Sequence, residues 1–244
     1  MTEIILGSLV VFAAYFLKAF TGFGPAMIMI PFLAILFDPG TAIITTTIFD
    51  FWAGLILLIS VRKKIQWQFV FSIFIPLALG AIFGSFLLGS VSDYWIKKII
   101  GITIFVFAII ILFQKEGISI TTRSDKICRL RYPVGAIGGF LGGFIGISGP
   151  PIIIFLKMLY DKSFFRTQLI GIFFFGAGWR FILYQIQDIE FNLDYYFLGI
   201  FFLIMLVAAW AGTKLHFKVN ETMFNRIVAV LLIVPAINLI FNTQ

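Results

Sequence analysis

The chain is a succession of long apolar runs separated by short polar loops, and that pattern leaves few folds open to it. The runs cover residues 4–20, 42–60, 69–88, 96–113, 135–156, 169–184, 195–211 and 223–241. Several approach or reach the roughly 20 residues that carry a helix across the hydrocarbon core of a bilayer. A water-soluble bundle needs charge to cover its surface, yet only 12% of these residues are charged and 61% are hydrophobic. Soluble domains carry about 25% charged and about 45–50% apolar residues. The fold class that follows is an all-α polytopic membrane protein, with the lipid bilayer as its first partner.

Composition excludes several other functions. There are 18 basic residues against 11 acidic ones, an excess that suggests nucleic acid until its placement is considered. It sits in short loops, where topology accounts for it, so no nucleic-acid partner is expected. The one cysteine, Cys128, lies in a polar stretch, so neither a disulfide framework nor a thiolate metal site can form within the chain. The one histidine, His216, sits between Lys214 and Lys218 and reads as a solvated loop residue. Membrane peptidases need His-rich or Ser/His constellations, so an intramembrane enzyme is the weakest reading. No G-x-x-x-x-G-K-[ST] loop occurs, so the chain is not driven by its own nucleotide hydrolysis, and no cofactor or metal is expected. The first run has no basic leading segment and no small-residue cleavage site after it. It is therefore read as part of the mature fold.

The chain contains an internal repeat, which a fold reading should seek first. Residues 84–113 align without a gap onto residues 212–241. In that frame Val91 meets Val219, Asp93 meets Glu221, Lys98 meets Arg226 and Ile99 meets Ile227. Upstream, Gly24-Pro25 meets Gly149-Pro150, Phe37-Asp38 meets Tyr160-Asp161, and Trp52 meets Trp179. The expected organisation is a first transmembrane repeat (1–113), a cytoplasmic linker (114–131) and a second transmembrane repeat (132–244). Each repeat reads as five helical pieces: 4–20, 25–37, 41–60, 69–88 and 95–113, then 133–147, 150–160, 165–184, 195–213 and 222–241.

Loop charge decides which way the repeats face, because Lys and Arg of short loops collect on the cytoplasmic side. With Arg62-Lys63-Lys64 inside, the 114–131 linker returns inside after two crossings, carrying Lys115, Arg123, Lys126, Arg129 and Arg131. The stretch between Tyr184 and Tyr195 holds Asp188, Glu190 and Asp194 and no basic residue, so it belongs outside. Three helical pieces lie between these points, and the crossing number must be odd. Pieces 133–147 and 150–160 therefore enter and return as a hairpin or re-entrant pair, which puts Lys157, Lys162 and Arg166 inside. Each repeat then crosses an odd number of times, so the two are inverted relative to each other. The expectation is a multi-pass protein of the cell (inner) membrane with both termini extracytoplasmic.

Within each repeat a glycine-proline motif breaks a helix. The first is Thr21-Gly22-Phe23-Gly24-Pro25, and the second is Gly146-Ile147-Ser148-Gly149-Pro150-Pro151. Proline suits the first turn of a new helix, where its missing N–H costs nothing, and glycine permits the turn before it. Ser148 or Gly149 is expected to cap the second new helix, and Phe23 or Gly24 the first. A helix start inside the membrane exposes free N–H groups and roughly half a positive charge, which must face protein or a wet cavity. Two such starts meeting near the midplane would hold a small anion. The candidate substrate-binding residues are Thr21, Gly22, Phe23, Gly24, Pro25, Gly146, Ser148, Gly149, Pro150 and Arg180. Arg180 and Asp50 interrupt apolar runs, and such charges usually face a cavity or a partner. Asp50 is expected to pair with Arg180 or Lys18, or to titrate as a proton-coupling carboxylate. Arg180 is about a turn from a helix end and has the reach to snorkel. Lys18, Thr46, Asp50 and Gln168 complete the list as coupling or polar-cavity residues, although threonine hydroxyls often bond their own helix.

At these motifs the chain resembles the sulfite exporter TauE/SafE family, also called the 4-toluene sulfonate uptake permease family. The resemblance lies in the glycine-rich start of each half and the apolar helix after it. These are Gly22-Phe23-Gly24-Pro25 running on to Pro31-Phe32-Leu33, and Gly138-Gly139-Phe140-Leu141-Gly142-Gly143 running on to Gly149-Pro150-Pro151. Many members have a further glycine where this chain has Pro25 or Pro150, and Leu156 stands near the place where a counterpart of Pro31 would fall. The resemblance implies two related halves and transport of sulfite, sulfonates or other small organosulfur anions. The leading reading is a secondary transporter of a small anion; a passive anion channel and a scaffold subunit stay open, and homo-oligomerisation is compatible with each.

Overall fold

The structure is a computed structural model of the 244-residue chain. It describes residues 2–21, 24–113, 128–189, 191–214 and 221–241. Gly22, Phe23, Lys115, Arg123, Lys126, Glu190, His216 and Lys218 lie outside the described residues. Among the described residues there are ten α-helices and no strand. In chain order these are α1 (Thr2–Thr21), α2 (Pro25–Leu36), α3 (Pro39–Val61), α4 (Trp67–Ser90) and α5 (Asp93–Phe113). They are followed by α6 (Arg131–Ile145), α7 (Gly149–Leu159), α8 (Lys162–Ile186), α9 (Tyr195–Lys214) and α10 (Glu221–Phe241).

Among the described residues five stretches are long and apolar enough to cross a bilayer: Pro39–Lys64, Trp67–Ser90, Asp93–Phe113, Phe164–Ile186 and Tyr195–Gly212. In lipid every backbone donor and acceptor must be satisfied within the protein, which is why these runs become unbroken helices. Helices α2 and α7 have 12 and 11 residues, about 18 Å and 17 Å long at 1.5 Å per residue. Both are too short for a core of about 30 Å. Each packs on the helix before it, α2 on α1 and α7 on α6.

The paired turns read from the sequence share one device. Phe37 N–H donates to the Leu33 carbonyl at 2.7 Å and Tyr160 N–H to the Leu156 carbonyl at 3.0 Å, closing α2 and α7. Asp38 then accepts from Thr41 N–H at 2.7 Å, and Asp161 from Phe164 N–H at 3.1 Å. A carboxylate three residues ahead of an orphan N–H is a strong N-cap, so α3 and α8 start alike.

The bundle is held by four long pairings: α4 with α6, α1 with α9, α3 with α8, and α5 with α10. The α4–α6 contact depends on glycine. A Cβ at Gly80 or Gly84 would run into the carbonyl oxygen of Ala136 or Phe140, and one at Gly139 or Gly143 into that of Leu77 or Ala81. Residues four apart share a helix face, so these glycines bring two backbones together as small residues do between membrane helices. Away from these seams Leu79, Phe83 and Phe86 of α4 stand out from the bundle at 57%, 70% and 60% exposure. Outward apolar rows of this kind suit lipid and would aggregate in water.

The two ends of the bundle differ in charge. Gln168 of α8 bonds the backbone of Lys64 and Gln66, which places the Arg62-Lys63-Lys64 turn beside the start of α8 and its Arg166. At the other end Asn192 N–H donates to Thr41 Oγ1 at 2.8 Å, and Gln187 Nε2 to Ser85 Oγ at 2.7 Å. Asp38, Asp188 and Asp194 lie in these segments.

Candidate functional site

The first break lies between Thr21, the last residue of α1, and Pro25, the first of α2. Gly24 caps α2 with φ +96°, a left-handed backbone that an L side chain enters only with strain. Met27 N–H donates back to its carbonyl at 3.2 Å. A Cβ at Gly24 would meet nothing within 4 Å among the described residues.

The second break is built differently. Its left-handed glycine is Gly146, φ +75°, which ends α6 rather than starting α7. Gly146 packs against Ile30 of α2 and Ile43 of α3, so the second break touches the short helix that the first break begins. Ser148 stands at the N-cap of α7 without a side-chain capping bond, and Gly149 and Pro150 form its first turn. The Ser148 side chain instead rests on the bare face of Gly142.

Arg180 closes this second break. It is 4% exposed, so the snorkelling alternative does not hold. Its Nη1 donates to the Gly146 carbonyl at 2.6 Å and to the Gly142 carbonyl at 3.3 Å. These are C-terminal carbonyls of α6, where a cation is favourable to the helix dipole. One turn along α8, the Tyr184 hydroxyl lies 2.9 Å from the Gly142 carbonyl and 3.0 Å from that of Gly143. The Nε of Arg180 is buried with no hydrogen-bond partner among the described residues. No carboxylate pairs with this guanidinium among the described residues.

Asp50 pairs with Lys18, the second of its two expected partners. Lys18 Nζ donates to Asp50 Oδ1 at 2.8 Å, and the Tyr15 hydroxyl approaches the same oxygen at 3.3 Å. Lys18 is in the last turn of α1, so this pair ties the broken end of α1 to α3.

Two of the polar candidates have their bonds elsewhere. Thr46 Oγ1 donates to the Ala42 carbonyl at 2.7 Å, within its own helix. The Gln168 amide holds the α3–α4 turn, twelve residues and about 18 Å along α8 from Arg180. Sequence reasoning missed Tyr15 and Tyr184. Each sits one helical turn from a charge it accompanies, Tyr15 three residues before Lys18 and Tyr184 four after Arg180, and that spacing was the available signal.

A separate groove of about 580 Å³ opens between α3, α4 and α8, lined by Phe51, Trp52, Phe74, Phe174 and Trp179 among others. Among the described residues no ionisable side chain lines it, which disfavours a small anion there. No cluster of three metal-ligating side chains occurs among the described residues.

Apolar helices facing outward, with two short helices starting from interior breaks and buried cations beside them, define a multi-pass membrane protein. A family model described as Sulfite exporter TauE/SafE matches residues 7–239, nearly the whole chain, and the chain belongs to that family. The family consists of membrane transporters of sulfite and organosulfur compounds, not enzymes. No curated protein and no solved structure matches the chain.

Proposed function

We propose that the chain is a secondary-active transporter of a small anion, namely sulfite, a sulfonate or another organosulfur anion, held where α2 and α7 begin. The observation that carries this reading is Arg180: a guanidinium 4% exposed at the α6–α7 break, with Nε unpartnered among the described residues. A buried cation without a counter-charge is costly, and an oxyanion beside the N–H groups at the start of α7 would satisfy both. Contact of Gly146 with Ile30 of α2 supports one site shared by both breaks.

The two halves are inverted repeats in this proposal. Exchange of halves turns the α4–α6 pairing into α9–α1, and α1–α2 into α6–α7, while α3–α8 and α5–α10 map onto themselves. All of these pairings occur. The pairings depart from this symmetry at α2, which packs on α3, α5 and α10 more than α7 does on their counterparts, and at α4, which packs on α8 more than α9 does on α3. The basic end, with Arg62-Lys63-Lys64, is cytoplasmic by the loop-charge rule, and both termini are extracytoplasmic. In intact cells Cys128 should then be shielded from an impermeant thiol reagent, and a Cys128-free chain with Asn192→Cys should be labelled. The reverse labelling pattern contradicts this orientation.

The transport reading is tested by counterflow of labelled sulfite in proteoliposomes loaded with unlabelled sulfite. A carrier gives transient uphill entry that saturates with concentration. A passive channel gives only downhill, non-saturating flux.

A further inference from the structure

The apolar groove between α3, α4 and α8 faces outward from the bundle: Trp52, Phe181 and Ile182 on its walls are 44%, 37% and 49% exposed. Its walls are held by contacts of their own. Phe51 stacks on Phe174 at 5.1 Å between ring centroids, and Trp179 Nε1 donates to the Ala78 carbonyl at 3.1 Å. A preformed concave surface of this kind takes an apolar ligand.

Charge at one end of the groove narrows the choice. The turn from α3 to α4 carries Arg62, Lys63 and Lys64, all exposed, and no ion pair involves them among the described residues. From this turn a row of rings descends into the groove. The Phe175 ring lies 6.1 Å from Trp67, 5.3 Å from Phe71 and 5.7 Å from Phe74 between centroids, and Phe74 and Phe175 line the groove. Trp52 is ten residues before Arg62 on α3, and Phe74 seven after Trp67 on α4. These spacings are about 15 Å and about 10 Å along the helices. One leaflet of the hydrocarbon core is about 15 Å thick. A headgroup resting on the turn therefore has its acyl chains at the depth of the groove. Trp67, 41% exposed beside the turn, suits the same interface.

We propose that this groove binds an anionic phospholipid, with its phosphate against Arg62, Lys63 and Lys64 and an acyl chain between α3, α4 and α8. Basic clusters at a membrane face hold acidic headgroups. The 114–131 linker carries five basic residues against two acidic ones, so the turn repels it. A second copy of the chain would bring the same basic turn with it, cation facing cation. The site stands apart from the anion site proposed above and is the same whichever face of the membrane the turn occupies.

The test is the unfolding temperature of the full chain in detergent as phosphatidylglycerol or phosphatidylcholine of identical acyl chains is added. It compares wild type, Arg62→Gln/Lys63→Gln/Lys64→Gln and Ile182→Trp. Phosphatidylglycerol should stabilise wild type saturably at about a hundredfold lower concentration than phosphatidylcholine, about fivefold for each basic side chain. The triple variant should respond to the two lipids alike. Ile182→Trp, which fills the groove from an exposed wall position, should lose most of its response to either. Inorganic phosphate at the same concentration should leave all three unchanged. Equal responses of wild type to the two lipids overturn the proposal, as does an equal response to inorganic phosphate. So does an undiminished preference in the triple variant, or a full response by Ile182→Trp. A wild-type dimer that Ile182→Trp turns into a monomer also overturns it, giving the groove to a second copy. The triple variant changes only exposed side chains, so it carries the test should Ile182→Trp fail to fold.

Discussion

Gly139→Leu should leave little folded protein. At this position the first side-chain atom already overlaps the Leu77 carbonyl oxygen across the α4–α6 seam. The obstacle is backbone in a long helix, not the flexible end of a side chain, so neither partner yields locally. Overpacking by a few methylenes costs about 1–3 kcal/mol where side chains can move. Here two helices must separate along a seam that also includes Gly80, Gly84 and Gly143, so the loss exceeds that range. It is then a large fraction of the ~5–15 kcal/mol that holds an ordinary domain together. Monodisperse yield in detergent and thermal unfolding measure the effect. Gly199→Leu is the control, since a Cβ at this exposed position of α9 meets nothing within 4 Å among the described residues, and it should behave as wild type. Normal yield and unfolding temperature for Gly139→Leu would show that the seam is looser than described.

Arg180→Gln should abolish transport while costing less stability. It takes away the donor to two terminal carbonyls of α6, and an unsatisfied buried acceptor costs about 1–3 kcal/mol. It also removes the cation proposed to meet the substrate. A charged hydrogen bond contributes about 1.5–3 kcal/mol, so affinity for sulfite should fall by about tenfold to a hundredfold. Arg180→Lys separates the two roles. An ammonium keeps the charge but cannot serve both the carbonyls and a ligand with one planar fork, so its affinity should lie between the other two. Equal sulfite affinity for wild type and Arg180→Gln would leave Arg180 as a helix clamp alone.

What could be read from the sequence, and what could not, follows from the range of the interactions. The apolar runs and the Gly-Pro breaks are written within a few residues of themselves, and the structure has them where expected; the Asp38 and Asp161 caps, equally local, were read only as matching positions of the repeat. The partner of Asp50 was not local. Lys18 and Arg180 are both cations near a break, and choosing between them needs the packing of α1 and α8 about α3. Gln168 misled for a related reason. A buried glutamine in an apolar helix suggests a cavity, but its amide holds the backbone of another loop, Lys64 to Gln66, more than a hundred residues away in sequence. The second break also differs from the first in its left-handed glycine, Gly146 rather than Gly149. The motif's spelling, with glycine at both positions, could not distinguish them. The α4–α6 seam was legible in principle, since Gly80 and Gly84, and Gly135, Gly139 and Gly143, recur every four residues. Which helix they would face was not.

The central claim is that a small oxyanion sits at the helix breaks beside Arg180. The most direct measurement of it is the unfolding temperature of the detergent-purified chain as sulfite is added. A ligand that binds only the folded state raises that temperature with concentration, by about 2.7 kcal/mol of stability at a hundred times its dissociation constant. Wild type should show a saturable rise with sulfite and none with a neutral solute at equal concentration. In Arg180→Gln the rise should need about tenfold to a hundredfold more sulfite. A wild-type chain that does not respond to sulfite or sulfonates, or a response identical in Arg180→Gln, would contradict the account.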